Sequence, residues 1–334
     1  MKCSVCFLSF FACLCISCNL GGKTEILLSA STRSIVDSVA KDTIFYNTEH
    51  DEFSLNPLPQ WALCKRLAKA GSLKELEQLS IEQESQVVRM VAFRALLEKN
   101  AHAAVKLFLQ QMHDSGKVNV EEYCESYCGN VPEERFRLIY IKWHAEKIIP
   151  ADTLAIDSVL FNTPGLKNLD GYVGRVVENK PSTAENYSRI RSLAKDEHNV
   201  EAIVKLADYR KLQDTVIIQN ALLQYHNAMK QSKPDFDDID ETNRAILVVA
   251  AWPDKAFISG VKTLVADHLL SNCGRGKIWS AQIFVCLRKY KSKWADDLIR
   301  QSLNNAKSLQ KSKNYDTRLW ANDILSDYRN SKTY

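Results

Sequence analysis

Glycine and proline are scarce in this sequence, at 11 and 8 of its 334 residues. A β-rich protein of this length needs many more turn residues, so the shortage favours long helices joined by short loops. Hydrophobic residues make up 46% of the chain and charged residues 25%, which are ordinary globular values and argue against disorder of the whole chain. The formal net charge of +4 is too small to indicate a class of partner.

The common catalytic motifs are also missing. The seven histidines show no His-Glu-x-x-His spacing, and the chain has no Gly-x-Ser-x-Gly, Walker-type or Gly-x-Gly-x-x-Gly segment. So few glycines provide little material for a phosphate-binding loop or a strained nucleophile turn. We therefore name no catalytic residue and expect no cofactor. A Ser-His-Asp triad stays open, because its members meet only in space.

The chain begins with an apolar, cysteine-rich stretch, MKCSVCFLSFFACLCISCNLGG. Lys2 supplies a positive charge, and the apolar run 5–16 is too short to span a bilayer, an order that is typical of a secretion signal. The segment 14–18, Leu-Cys-Ile-Ser-Cys, resembles a bacterial lipobox, in which cleavage occurs just before a cysteine that receives lipid. The resemblance implies an exported protein that is anchored to the outer membrane, or elsewhere in the cell envelope, through lipid on Cys18.

The lipobox-like segment departs from the usual pattern at one position. Leu14 stands four residues before Cys18, and Cys15 occupies the place three before it, where such families usually have leucine. Simple signal cleavage without lipid is one alternative, and a retained membrane anchor is another. Asn19 after the cysteine fits sorting to the outer membrane.

Helix-pair patterns recur along the rest of the chain. Apolar residues return at i, i+3 or i+4 and i+7 within each predicted helix, so each has a stripe to bury. In three C-terminal copies an aromatic residue closes the first helix. These residues are Tyr209, Trp252 and Tyr290, and their separations of 43 and 38 residues are close to the period of helix-pair repeats.

Two predicted helices share a second signature. The segment 89–96 reads Arg-x-x-Ala-x-x-Ala-Leu, and 318–325 repeats this spacing with isoleucine in place of the second alanine. Both resemble the second helix of HEAT-type repeats, in which small alanines let helices approach closely. The resemblance covers about 58–112 and 199–328, and an irregular helical domain is the alternative.

Local signals place several element ends. Gly71 suits the left-handed position after a helix, and Ser72 with Glu75 three residues later is typical of a capping box. Pro132, followed by acidic residues, predicts a helix start near 130–134. A short β-leaning fragment occupies 42–46.

We therefore expect an all-α protein, a right-handed α-solenoid-like stack of antiparallel helix pairs with an irregular middle section. Within its body, 166–179 is the one stretch whose turn residues argue against helix. The expected units are a signal peptide (1–17), a lipid-anchored tether (18–56), N-terminal HEAT-like repeats (57–112), an irregular helical middle region (113–198) and C-terminal HEAT-like repeats (199–330).

His113, Cys124 and Cys128 form the one grouping that suggests a metal site. If 124–128 were helical, the two thiols would lie one turn apart on the same side and could bind zinc together with His113. A fourth ligand is not evident, and no second cysteine pair follows. Two partly buried thiols or a local disulfide explain the spacing equally well, so we predict no metal site.

Basic residues cluster between 273 and 313, where ten of them stand against Asp296 and Asp297 alone. This cluster could bind an acidic protein, anionic lipid headgroups or polyanionic glycans, and a solubilising surface is the alternative. Nucleic acid is not an expected partner of an exported protein. The residues singled out, which we call the basic patch, are Arg275, Lys277, Arg288, Lys289, Lys291 and Lys293.

Together these features predict a non-catalytic, membrane-anchored helical-repeat scaffold that binds a protein or peptide partner in the cell envelope. Stacked repeats form an extended surface, and such surfaces typically bind proteins without a cofactor. Two alternatives from other classes stay open. One is an envelope enzyme with a site within 113–198, and the other is a lipid-anchored inhibitor or immunity-type protein.

Overall fold

A computed structural model describes residues 27–49, 56–83, 85–122, 125–145, 148–231, 235–271 and 278–332. These residues are mostly helical, with seventeen α-helices and three short strands among them, which confirms the helical fold class. No helix within these ranges has both the length and the apolar character needed to cross a membrane. The predicted signal peptide and Cys18 lie outside the described residues.

The N-terminal half is built around one buried helix, α4. Residues 87–97 of this helix are all buried, and it contacts α2, α3, α5 and α6. A helix that is covered on every side belongs in the middle of a core. The elements of this half are α1 (Ala30–Val39), β1 (Phe45–Tyr46), α2 (Pro59–Ala70), α3 (Leu73–Glu82), α4 (Gln86–Lys99), α5 (Ala101–Gln110), β2 (Lys117–Glu122), β3 (Glu125–Asn130) and α6 (Val131–His144).

Part of the predicted tether belongs to this core. Helix α1 buries Ile35 and Val39 and contacts α2 and α4, while Phe45 is fully buried in β1, which pairs in parallel with β2. Residues 27–49 are therefore not an extended linker, because their apolar side chains are covered by the helices that follow. The β-leaning interpretation of 42–46 is confirmed at its last two residues.

A hairpin replaces helix in the first part of the middle region. Strands β2 and β3 are antiparallel, with Lys117 opposite Asn130 and Glu122 opposite Glu125. Val118 and Val120 are buried, so β2 alternates between the core and its other face in the manner of a strand. The assumption of helix around Cys128 is therefore wrong.

Three helices complete the middle region, and one of them corrects the sequence interpretation. The stretch 166–179, predicted to be non-helical, consists of a short 3₁₀ turn followed by α8. Val173, Val176 and Val177 are buried at i, i+3 and i+4, and this burial outweighs the helix-weakening glycines. The three helices are α7 (Pro150–Asn162), α8 (Asp170–Asn179) and α9 (Ala184–Asp196).

The C-terminal region continues the helical arrangement. Helices α8, α10, α13, α15 and α17 contact one another in that order, while α9 lies on α10, α11 on α13 and α16 on α17. Helix α14 continues directly into a π-helical segment, Val265–Leu270. The helices of this region are α10 (Val200–Tyr209), α11 (Thr215–Leu222), α12 (Gln224–Lys230), α13 (Phe236–Ala251), α14 (Ile258–Leu264), α15 (Ser280–Lys289), α16 (Lys293–Leu309) and α17 (Tyr315–Asn330).

The predicted aromatic residues do close their helices. Tyr209 is the last residue of α10, and Trp252 and Tyr290 are the C-caps of α13 and α15. Trp252 packs edge-on against Phe257, and Tyr290 against Trp294, with ring centroids 5.5 and 4.9 Å apart. Trp252 and Tyr290 thus tie the end of one helix to the segment that follows it, whereas Tyr209 packs on Tyr187 of the preceding helix, with ring centroids 5.1 Å apart.

One of the predicted helix ends differs from the structure. The capping box of Ser72 and Glu75 is present. Partial burial acts to raise the pKa of Glu75, but hydrogen bonds from the Ser29 and Ser72 backbone amides lower it to about 2. Gly71, expected in the left-handed region, has φ −74° and ψ 141°, so the chain leaves α2 in an extended conformation. The helix start near Pro132 is confirmed by α6.

Two buried arginines share one largely covered carboxylate next to α4. Arg89 forms an ion pair with Asp114, and the fully buried Arg135 of α6 lies 3.5 Å from the same carboxylate. Arg135 also donates a hydrogen bond to the Ser80 carbonyl oxygen of α3. Asp114 therefore holds α4 and α6 together, because a guanidinium in this position has no water to replace a lost partner.

We expect Asp114→Asn to lower the free energy of unfolding by about 3 kcal/mol, since it leaves two buried cations without their counter-charge. Urea unfolding followed by circular dichroism measures this difference. Asp297→Asn is the control, because Asp297 pairs with Arg300 at 3.4 Å on the surface, and its loss should cost less than about 1 kcal/mol. Equal effects of the two substitutions would contradict the prediction.

Candidate ligand-binding pocket

A half-open cavity of about 390 Å³ lies between α6, α7 and α8. This volume falls within the range of about 300–1,000 Å³ that is usual for small-ligand sites. We call the cavity the aromatic pocket. The lining residues that matter most for its chemistry are Phe136, Tyr140, Trp143, Asp157, Tyr172 and Arg175.

Helical spacing brings the rings of the aromatic pocket together. Phe136, Tyr140 and Trp143 stand at i, i+4 and i+7 on α6, so they share one face of the helix. Tyr172 of α8 meets this face, with its ring centroid 4.1 Å from Phe136 and 6.4 Å from Tyr140. Trp143 is edge-on to Tyr140 at 6.4 Å. The result is a wall of rings, of which only Phe136 is fully covered.

A cation lies across this wall. The guanidinium carbon of Arg175 is 5.2 Å from the centroid of Tyr140 and 5.8 Å from that of Tyr172. Arg175 is exposed, and its guanidinium forms no hydrogen bond or ion pair with any residue that the structure describes. Its N–H groups are therefore available to an anion in the pocket.

The rim of the aromatic pocket carries charges of both signs. Lys180 and His144 line it, and the His144 ring is edge-on to Tyr140 at 4.3 Å. Burial raises the pKa of the Asp157 carboxyl above its ordinary value, while Lys180 acts in the opposite direction. The pocket thus combines an apolar wall, one exposed arginine and one partly buried carboxyl. Such a set can bind a flat apolar group that carries a negative charge.

Sequence reasoning missed this pocket, although part of its signal is visible in the chain. Tyr140 and Trp143 recur at helical spacing, and so do Tyr172 and Arg175. The pocket also needs α8, but the sequence predicts that this segment is not helical. Tyr172 and Arg175 therefore have no predicted helix that would place them on one face. Nothing in the sequence indicates that α6 and α8 are neighbours.

The structure describes two of the three candidate metal ligands. Cys128 is exposed on β3, and His113 is exposed in the turn after α5. Cys124 lies outside the described residues. Across the part of the chain that the structure describes, no group of three or more His, Cys, Asp or Glu side chains could hold a metal ion.

The structure describes four of the six residues of the basic patch. Lys289, Lys291 and Lys293 are exposed around the turn between α15 and α16. Arg288 is half-buried and donates hydrogen bonds to the carbonyl oxygens of Ser331 and Tyr328, at 2.6 and 3.4 Å, so it fixes the end of α17. Arg275 and Lys277 lie outside the described residues.

A buried carboxyl joins the hairpin to α6, close to the aromatic pocket. Glu134 is fully buried, and its Oε2 is 3.4 Å from the hydroxyl of Tyr127, which donates to it. Arg137 lies 3.8 Å from the same carboxyl oxygen. Gly129 makes this arrangement possible, because a Cβ there would stand 2.5 Å from Oε1 of Glu134. Burial is the main cause that raises the pKa of Glu134 from 4.5 to about 7, and Arg137 opposes the shift.

Glu134 should make the stability of the protein depend on pH. Between about pH 4.5 and 7 the folded protein keeps a proton that the unfolded chain has released, so the free energy of unfolding falls as the pH rises through this window. The fall should reach at most about 3 kcal/mol.

Urea unfolding across this pH range measures the effect. Glu134→Gln should flatten the dependence, because the amide holds no titrating proton, whereas Glu133→Gln on the neighbouring position should leave it in place. Parallel curves for the natural protein and Glu134→Gln would show that another group is responsible.

Comparisons of this chain with family models, with curated proteins and with solved structures found no match.

Proposed function

We propose that this chain is a non-catalytic, helical-repeat scaffold of the right-handed α-solenoid type that binds a protein or peptide partner in the cell envelope. The ordered contacts of α8, α10, α13, α15 and α17, with further helices lying on them, support the repeat arrangement. Helices stacked in this way leave a long surface, and every element of that surface is held by its neighbours.

The aromatic pocket is the observation that carries this proposal. Tyrosine, tryptophan and arginine are the side chains most often responsible for binding energy at protein interfaces. Tyr140, Trp143, Tyr172 and Arg175 place all three types around one cavity that is open to solvent. A folded monomer gains little from leaving these rings half-covered, whereas a partner that fills the cavity removes them from water.

The exposed lysines of the basic patch favour an acidic partner. Lys289, Lys291 and Lys293 are close together in sequence. None of them forms an ion pair with another described residue. Their contribution should lie mainly in the rate of association, because exposed charges steer an oppositely charged partner more than they stabilise the complex. Arg175 adds a positive charge at the aromatic pocket itself.

Chemical crosslinking in native membranes, followed by mass spectrometry, tests the proposed function. Trp143→Ala should reduce capture of the specific partner at least tenfold, because truncating a central aromatic residue of an interface costs about 2 kcal/mol or more. Trp279→Ala is the matched control, since Trp279 is an accessible tryptophan that does not line the aromatic pocket. Unchanged capture by Trp143→Ala, or capture of no specific partner by the natural protein, would count against the proposal.

Two triple variants distinguish an effect of the basic patch on the rate of partner capture from an effect of net charge. Lys289, Lys291 and Lys293 changed together to Glu should slow capture, and the effect should shrink as salt is raised. Arg66, Lys69 and Lys74 changed to Glu provide three equally exposed cations elsewhere on the chain. Equal slowing by both sets would mean that net charge, and not the basic patch, is responsible.

We further propose that lipid on Cys18 anchors the chain to a membrane, and this anchor has its own test. Mass spectrometry of the mature N-terminus should find a chain that begins at Cys18 and carries lipid. Cys18→Ser should prevent both the modification and recovery of the protein with membranes. A mature chain that begins at Asn19 or later, without lipid, would exclude the anchor and leave the binding proposal standing.

A further inference from the structure

We infer that the aromatic pocket binds the C-terminal residue of a peptide, with an aromatic side chain among its rings and the terminal carboxylate on Arg175. This inference rests on the proposed function, because it names which part of a peptide partner the cavity receives. It is carried by three features of the pocket: an arginine that has no hydrogen-bond or ion-pair partner among the described residues, a wall of accessible rings, and a limited size.

Arg175 offers its N–H groups to an acceptor from outside the chain. Its guanidinium lies over the rings of Tyr140 and Tyr172, and these cation–π contacts supply no carboxylate or carbonyl acceptor. The N–H groups at its edge meet no acceptor among the described residues. A carboxylate matches the forked edge of a guanidinium with two parallel hydrogen bonds, a geometry that a hydroxyl or an amide cannot reproduce.

The ring wall requires an apolar group beside that carboxylate. Tyr140, Trp143 and Tyr172 are all half-buried, so each still has ring surface to cover. Neighbouring rings in proteins prefer centroid separations of about 4.5–7 Å, and the rings of the pocket already show such spacings among themselves. An aromatic side chain can therefore join the wall without rearranging it.

The short distance between cation and rings selects a chain terminus. Because the guanidinium of Arg175 lies within 6 Å of two ring centroids, the carboxylate and the ring of the ligand must also be close together. An internal aspartate or glutamate offers a carboxylate without a ring, and an internal aromatic residue offers a ring without a carboxylate. A C-terminal aromatic residue carries both, two carbon atoms apart.

The remaining polar side chains fit the same ligand. Asp157 lines the pocket, and its carboxyl can accept a hydrogen bond from the backbone N–H of the bound residue. Lys180 and His144 stand at the rim, where Lys180 adds to the positive field around the carboxylate. The cavity of about 390 Å³ holds one large residue and its adjoining peptide group, whereas a bound helix needs an elongated groove.

A matched pair of small probes tests the inference on the purified full chain. N-acetyl-L-tryptophan carries the ring, the N–H and the carboxylate, and N-acetyl-L-tryptophanamide has a neutral carboxamide in place of the carboxylate. Isothermal calorimetry at pH 7 should show that the natural protein binds the acid at least tenfold more tightly than the amide. N-acetylglycine, which keeps the carboxylate without the ring, should bind at least tenfold more weakly than the tryptophan acid.

Variants assign these differences to residues. Arg175→Gln should remove the preference for the acid, so that acid and amide bind alike, and Trp143→Ala should weaken both. Lys262→Gln is the matched control, because Lys262 also lies over a ring, 5.6 Å from the centroid of Trp294, but outside the aromatic pocket. Far-UV circular dichroism and the thermal midpoint establish that each variant is folded.

Three results would overturn the inference. They are equal binding of acid and amide by the natural protein, no detectable binding of the tryptophan acid at millimolar concentration, and tighter binding of glucuronate, which would make the pocket a site for an acidic sugar. If the probes fail while Trp143→Ala still abolishes partner capture, the proposed function stands and only the terminal residue is wrong. If the probes bind but no partner is captured, the preference of the pocket for a terminal aromatic residue stands and the proposed scaffold function is wrong.

Discussion

Helix α6 is held from two sides by adjacent residues, and the aromatic pocket depends on this constraint. Arg135 is fully buried, and its guanidinium carbon lies 5.4 Å from the ring centroid of Phe93. It shares the Asp114 carboxylate with another arginine, which belongs to α4. The next residue, Phe136, contacts Tyr172 of α8 at 4.1 Å. A buried cation cannot move away from its counter-charge without a large cost, so α6 has one position against the N-terminal core. Its other face then fixes where α8 packs, and the rings of both helices enclose the cavity.

Much of the helical fold could be predicted because periodicity reports burial directly. The apolar spacing of α10, α13 and α15 predicts their buried faces, and Tyr209, Trp252 and Tyr290 do close those helices. Capping chemistry is equally local, so Ser72 and Pro132 mark their helix starts correctly. These signals depend on a few neighbouring residues and need no knowledge of the tertiary structure.

The sequence-based predictions that are wrong concern segments whose structure depends on contacts with distant parts of the chain. Gly174 weakens α8 as an isolated helix, yet a Cβ there would stand only 3.1 Å from the Glu201 side chain, so the glycine lets α8 approach α10. The β2–β3 hairpin contains a visible alternation at Val118 and Val120, but the cysteine spacing suggested one helical turn instead. The aromatic pocket could not be predicted, because it exists only when α6, α7 and α8 are placed together. The spacing of Phe136, Tyr140 and Trp143 puts them on one face of α6, whereas the position of α8 against that face is a property of the fold.

Photocrosslinking from the edge of the aromatic pocket tests the central claim most directly. A photoreactive benzoylphenylalanine in place of Asn179, which lines the cavity and is exposed, should capture the specific partner in native envelopes, and the crosslinked peptide should contain the partner's C-terminal residue. The same group at the exposed Asp297 should capture little of it. Equal capture from both positions, or capture from position 297 alone, would contradict the assignment of partner binding to the aromatic pocket.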